Sequence, residues 1–345
     1  MKVRVTAPGR VNLIGGHSDY TGGLVLPMAI DLATTIEGDR VGDRIELRSE
    51  QEEQKAVVSL GRLDEPHPVA GIEPRWARYV AAVAAATGLR TGFSGTVTTT
   101  IPVGTGLSSS AALEVAVALA LGADDDGSAD RPALAEVLRG AELAASGVPC
   151  GVMDQLASLC GVDGHAILLD CTTLEVTPVP LPAGVDVVAV ASGETRSLAG
   201  VPYAQRRDET VRAAELLGGP GSPRSAILAE ADAIDDPVLR RRARHLVTEN
   251  ERVRGVCAAF AAGDVASAGA LMTESHASLR DDQEVSTARL DELVERLVAT
   301  PGVHGARLTG GGWGGCVVAL CDSGALDGEG WHVRPSAGAT ITLEE

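Results

Sequence analysis

Apolar positions in this chain come in short runs of two kinds. Lys2–Ala7 and Gly95–Ile101 alternate polar and apolar residues, the period of a strand with one face covered. Val187–Ala191 and Cys316–Leu320 are continuously apolar and read as strands buried on both faces. Trp76–Ala86, Ala111–Leu121 and Pro132–Ala145 carry helical patterns, and Pro132 suits the first helical position, where its missing N–H is not needed. Arg206–Leu217 and Ser286–Ala299 are further helices with one polar and one apolar face. Glu65–Pro74, Asp124–Pro132 and Gly218–Pro223 are rich in Pro, Gly, Asp or Ser and read as loops. There is no internal repeat. Strands and helices do not alternate regularly, so the expectation is an α+β fold and not a doubly wound nucleotide fold.

Composition narrows the class. The chain has 345 residues, 45% hydrophobic but only 2% aromatic, so aliphatic side chains and alanine must fill its core. A formal charge of -18 argues against non-specific nucleic-acid binding. No apolar run reaches the roughly 20 residues of a membrane span. The start, MKVRVTAPGR, lacks the apolar centre of a signal peptide. Cys150, Cys160, Cys171, Cys257, Cys316 and Cys321 form no CxxC pair and no zinc spacing, and free thiols are expected. The default expectation is a cytoplasmic protein, a monomer or weak homodimer, without membrane or nucleic-acid partners.

The sharpest local chemistry is Pro102-Val103-Gly104-Thr105-Gly106-Leu107-Ser108-Ser109-Ser110 ahead of a helical run. Gly104 and Gly106 allow a tight turn with N–H groups close to a ligand. Three serines offer hydroxyls for capping, and the helix N-terminus suits a phosphate. An ordinary Gly-Ser turn reads equally well on local chemistry alone. A Walker-type loop is excluded, because the only lysines are Lys2 and Lys55 and neither follows a glycine-rich turn. Ala7–Tyr20 packs Arg, Asn, His, Asp and Tyr among glycines, a loop able to bind a polyol or merely solvated. Asp154 follows two apolar residues and is either a buried carboxylate or a helix N-cap. Glu142, within the third predicted helix, reads by itself as a surface residue.

Together these segments resemble the galactokinase branch of the GHMP kinases, the family of galactokinase, homoserine, mevalonate and phosphomevalonate kinases. GRVNLIGGHSDY, PVGTGLSSSAALEV and LTGGGWGGC resemble its three motifs, and WARYV, AELAASGVPCGVMDQ and HASLRDDQEVS are additional collinear matches. The resemblance implies two domains, 1–165 and 166–345, with the active site between them. It implies ATP held by Gly104, Gly106, Ser108, Ser109 and Ser110 with Trp76 near the adenine, and Mg²⁺ on Ser110 and Glu142. It further implies a sugar lined by Arg10, Gly16, His17, Asp19, Gly151, Asp154 and Tyr203, the last placed by PYAQRRDE. Asp154 would accept the proton of the anomeric hydroxyl and Arg10 would stabilise developing charge. The implied activity is phosphorylation of C1 of galactose or a galactose-configured sugar altered at C6, such as a heptose or octose or their phosphates, a uronic acid or a pentose.

Two other readings are a non-catalytic sugar- and ATP-binding sensor and another GHMP small-molecule kinase. The uninterrupted SSSAA segment with Asp154 and Arg10 argues against the first, and Tyr203 with SLRDDQEVS against the second. The chain departs from the pattern at Gly16, where galactokinases carry an acidic residue that contacts the sugar's C6 hydroxyl. It also has Gln283 for the usual tyrosine and Trp313 for phenylalanine. Arg196 or Gln283 could replace the missing contact at Gly16.

Overall fold

The computed structural model describes residues 1–65, 69–194 and 201–344. In chain order the elements are β1 (Lys2–Ile14), β2 (Leu24–Arg40), β3 (Arg44–Ser49), β4 (Ala56–Ser59), α1 (Ala77–Thr87), β5 (Phe93–Thr99), α2 (Ser109–Leu121), α3 (Arg131–Ser146) and α4 (Met153–Cys160). Then come β6 (His165–Asp170), β7 (Glu175–Pro180), β8 (Val185–Ala191), α5 (Val201–Leu216), α6 (Leu228–Asp232), α7 (Pro237–Ala262), α8 (Val265–Asp281), α9 (Ala288–Val298), β9 (Val303–Thr309), β10 (Cys316–Asp322), β11 (Trp331–Val333) and β12 (Thr340–Glu344).

Two sheets organise them. The first runs β12-β1-β2-β5-β3-β4, with β6 pairing β2 and β7 beside β6; the second runs β11-β8-β10-β9. The last strand, β12, returns to pair with Lys2–Thr6, so both ends of the described chain meet in the first sheet. Helices α1 to α4 and the first sheet share a core of Val, Ala and Leu, while α8 and α9 pack on β9. A third set of apolar side chains, among them Leu13, Met28, Met272 and Leu320, joins the two sheets. The fold is α+β, as the irregular succession of elements implies.

Most predicted elements lie within a few residues of the observed ones. The largest difference is in β1, which continues to Ile14 through a segment read as loop. Its first residues alternate exposed and buried, but Ala7–Ile14 is buried throughout, because α2, α4, α7, α8, β9 and β10 pack against β1. Arg10 and Asn12 break the apolar alternation there, yet both are buried; the Arg10 guanidinium and the Asn12 backbone N–H are hydrogen-bonded, whereas Asn12 Oδ1 has no partner among the described residues. The 26-residue helix α7 has no counterpart in the hydrophobic pattern, since its inward face carries Arg242, His245, Glu249 and Asn250. All six cysteines are free thiols, with Cys316 and Cys321 buried and the others half-buried. No helix among the described residues is long and apolar enough to cross a membrane.

Candidate active site

The glycine-rich turn before α2 has left-handed backbone at Gly104 (φ 79) and Gly106 (φ 84), where a Cβ would be strained. Ser108 is also left-handed (φ 63) and occupies the N-cap, but it does not cap the helix. Its hydroxyl instead donates to Asp154 Oδ2 at 2.6 Å. The expectation that a serine here caps α2 is therefore corrected for Ser108: the nearby carboxylate is the stronger acceptor. Ser109 and Ser110 open onto a cleft shared with Trp76 and Tyr79. The Trp76 ring is fixed by its Nε1–H donating to the Gln54 carbonyl at 3.1 Å.

An acidic pair lies behind Ser110. Glu114 is one helical turn further along α2, on the same face, and fully buried. Gln155 Nε2 donates to its Oε2 at 2.9 Å. Burial, and then the Glu142 carboxyl in direct contact, drive its pKa well above the ordinary value. A hydroxyl and carboxylates are the hard oxygen donors that suit Mg²⁺, which takes only one or two protein carboxylates and completes its shell with phosphates and water. The residues thus fit the ion, although no group of three or more His, Cys, Asp or Glu that could hold a metal occurs among the described residues. Sequence reasoning missed Glu114 and Gln155, although both lie inside quoted motifs.

A second, small cleft is lined by Arg10, Gly16, His17, Asp19, Gly151, Asp154 and Tyr203 among others. All seven residues expected around a sugar therefore share one cavity. Arg10 is buried and clamps Asp154 with Nε and Nη2, at 2.8, 2.6 and 2.7 Å. Its Nη1 donates to the Gly106 carbonyl at 2.6 Å, tying the clamp to the glycine-rich turn. Asp154 sits in the first turn of α4; the N-cap is Val152, and the Asp154 side chain is 31% exposed, so it is a cleft-lining carboxylate rather than an N-cap or a fully buried one. Asp19 packs so closely on Gly151 that a Cβ there would overlap its carboxylate. Burial, followed by repulsion from Asp154, lifts the Asp19 pKa to about 6. His17 is left-handed (φ 61); its Nδ1 accepts from the Tyr20 hydroxyl at 2.9 Å and its Nε2 donates to the Gly311 carbonyl at 3.2 Å. The Tyr203 ring, in the first turn of α5, lies against those of His17 and Trp313.

The loop after β1 is held by side chains of α7. Glu249 on α7 accepts from the Gly15 and Gly16 N–H groups at 2.9 and 3.1 Å and from the Ser275 hydroxyl at 2.6 Å. His245 Nε2 donates to the Gly16 carbonyl at 2.8 Å, and Arg307 Nη1 to the Asn12 carbonyl at 3.1 Å. Sequence reasoning missed these residues; the available signal was polar side chains at spacings of three and four along α7. Of the proposed compensators for Gly16, Arg196 lies outside the described residues. Gln283 is buried, accepts from Thr210 at 3.1 Å and does not line the cleft.

Family models match at residues 2–40 (galactokinase galactose-binding signature), 76–162 (GHMP kinases N terminal domain) and 257–328 (GHMP kinases C terminal). The galactokinase of Homo sapiens is 43% identical over 99% of this chain and 89% of its own length. That of Chloroflexus aggregans is 42% identical over 93% of this chain and 84% of its own. The crystal structure of Lactococcus lactis galactokinase complexed with galactose superposes with a TM-score of 0.88 at 32% identity, covering 98% of this chain and 95% of that one. Methanococcus jannaschii mevalonate kinase shares the fold, with a TM-score of 0.68 at 19% identity over 96% of this chain and 98% of its own.

Proposed function

This chain belongs to the galactokinases of the GHMP family, a sugar 1-kinase by that membership, and we propose that it transfers the γ-phosphoryl group of ATP to C1 of galactose or of a galactose-configured sugar altered at C6. What carries the reading is Arg10, whose guanidinium bonds both Asp154 in one cleft and the Gly106 carbonyl beside the other. A group transferred between the clefts passes this junction.

In this mechanism the phosphates lie along the Gly104–Ser110 turn and the N-terminus of α2, with the adenine toward Trp76. His17, Asp19, Gly151 and Tyr203 orient the sugar. The C1 oxygen forms its bond to the γ-phosphorus as the bond to the ADP oxygen breaks. The hydroxyl proton passes to Asp154 Oδ2, the oxygen that otherwise accepts from Ser108. Arg10 keeps that carboxylate aimed and stabilises charge on the moving phosphoryl group. Most of the catalysis is positioning and electrostatics. Mg²⁺ on Ser110 and Glu142 would neutralise phosphate charge, which matters in a chain without a phosphate-loop lysine.

An ADP-release assay across a panel of aldoses tests the proposal. Turnover with an aldose, and a sugar 1-phosphate as product, is the expected result. ATP and sugar binding without turnover would instead favour a sensor.

A further inference from the structure

His245, Glu249 and Asn250 share one face of α7, are fully buried, and each bonds the backbone of the loop between β1 and β2. Glu249 Oε1 accepts from the Gly15 and Gly16 N–H groups, and His245 Nε2 donates to the Gly16 carbonyl. Asn250 Oδ1 accepts from the Leu24 N–H at 2.8 Å. One helix therefore grips both backbone polar groups of Gly16 and both ends of the 15–24 loop. A Cβ on Gly16 would clash with the buried Arg307 guanidinium, so the turn meets these side chains through its backbone alone. Directly after the grip the backbone is strained, with His17 left-handed (φ 61). A non-glycine residue keeps that conformation only where its surroundings over-determine it. An apolar helix face would fill the space without burying the Glu249 charge, so packing alone does not call for these three residues.

The loop held in this way supplies His17, Asp19 and Tyr20 to the cleft proposed for the sugar, whereas His245, Glu249 and Asn250 do not line that cleft. No described residue of the loop lines the cleft shared by Ser109, Ser110 and Trp76. Resting on the sugar 1-kinase reading, we propose that His245, Glu249 and Asn250 are positioning residues for the sugar. Acting through the Gly15–Leu24 backbone, they hold His17 in its left-handed conformation and set where its ring and the Asp19 carboxylate stand in the cleft. His17 passes the constraint on, because its Nε2 donates to the Gly311 carbonyl on the cleft's opposite segment and its Nδ1 accepts from Tyr20. Releasing the Gly16 carbonyl lets His17 relax toward ordinary backbone and draws its ring from Gly311. The loss falls on the sugar and not on the nucleotide, since the loop enters only the first of the two clefts.

The test compares His245→Leu, which fills the space without a donor, with His245→Gln, whose amide N–H can reach the Gly16 carbonyl. On the intact chain, ADP release gives KM for ATP and for the best-used aldose of the panel, galactose included, and calorimetry gives the affinity for that aldose without nucleotide. In His245→Leu the sugar KM and dissociation constant should rise at least about tenfold, with the ATP KM within about twofold of the parent, and His245→Gln should recover most of the loss. Should His245→Leu fail to fold, Glu249→Gln, which keeps the shape but weakens the two N–H bonds, decides by the same two constants. Equal changes in both KM values, unchanged sugar constants in a folded variant, or a His245→Gln no better than His245→Leu would leave these residues a structural role only; each overturns the proposal and leaves the kinase reading intact. A parent that binds an aldose without turnover overturns the kinase reading, and the dissociation constants then decide the positioning role. A parent that neither binds nor turns over any aldose overturns both.

Discussion

The Ser108 hydroxyl donates to Asp154 Oδ2 at 2.6 Å, joining the turn proposed to hold phosphate to the carboxylate proposed to receive the proton. A substrate hydroxyl that uses this oxygen must share or displace that bond. Asp154→Asn should reduce kcat by about 10²–10⁴-fold while leaving nucleotide affinity within a few fold. Ser108→Ala should cost kcat about tenfold, since one charge-assisted bond is lost and the Arg10 clamp remains. Steady-state kinetics with equilibrium nucleotide binding check both, and near-normal turnover in Asp154→Asn would remove this residue from the mechanism.

Ser110 and Glu142 are proposed to hold one ion. Each alanine variant should raise the magnesium concentration for half-maximal activity about 10–100-fold. The double variant should fall well short of the product of the two effects, because both report on the same ligand set. A magnesium titration in which Glu142→Ala matches the parent would place the ion elsewhere.

Asp19 carries a pKa lifted to about 6 by burial and by the adjacent Asp154. Below that pH it is neutral and loses its strength as an acceptor for ring hydroxyls. Sugar affinity in the absence of nucleotide should therefore fall as pH drops through about 6, and sugar binding near and below that pH should release protons. Calorimetric titration between pH 5 and pH 8 measures this, and a flat profile would show that Asp19 does not bind as the carboxylate.

Gly151 is fixed by the Asp19 carboxylate packed on its α-carbon. Gly151→Ala should displace that carboxylate and raise KM for the sugar at least about tenfold, with nucleotide KM unchanged. Equal effects on both substrates would indicate a general distortion.

Glu249 is the hub of the buried network. Burial favours its neutral form, but His245, Arg252 and Arg307 together pull its pKa down from 4.5 to about 2. Its contribution to stability is thus present above pH 4.5 and lost as pH falls toward 2. Glu249→Ala should destabilise the protein by about 3–5 kcal/mol at pH 7, because Arg252 and Arg307 are left uncompensated. In urea denaturation the gap between parent and Glu249→Gln should narrow from pH 7 to pH 3. An undiminished gap would mean that packing, not charge, gives Glu249 its role.

The sequence alone settled what depends on neighbours along the chain. Alternation located β1 and β5, helical periodicity located α1 to α3, and the order of elements excluded a doubly wound sheet. Gly104 and Gly106 announced a tight turn before α2, and the run of motifs identified the family. Tertiary structure decided whatever depends on groups distant in sequence. Arg10 and Asp154 lie 144 positions apart, yet β1 and α4 bring them into one clamp. Ser108 looked like a helix cap until a distant carboxylate offered a stronger acceptor. Helix α7 stayed hidden because its buried face is polar, satisfied by backbone 229 to 234 residues away in the Gly15–Gly16 turn. Gly16 read as a missing side chain, and only the fold revealed Arg307 in the space. Hydrophobic periodicity reports a face turned toward oil, whereas a buried charge is tolerated only where the fold delivers its partner, and that pairing has no local pattern.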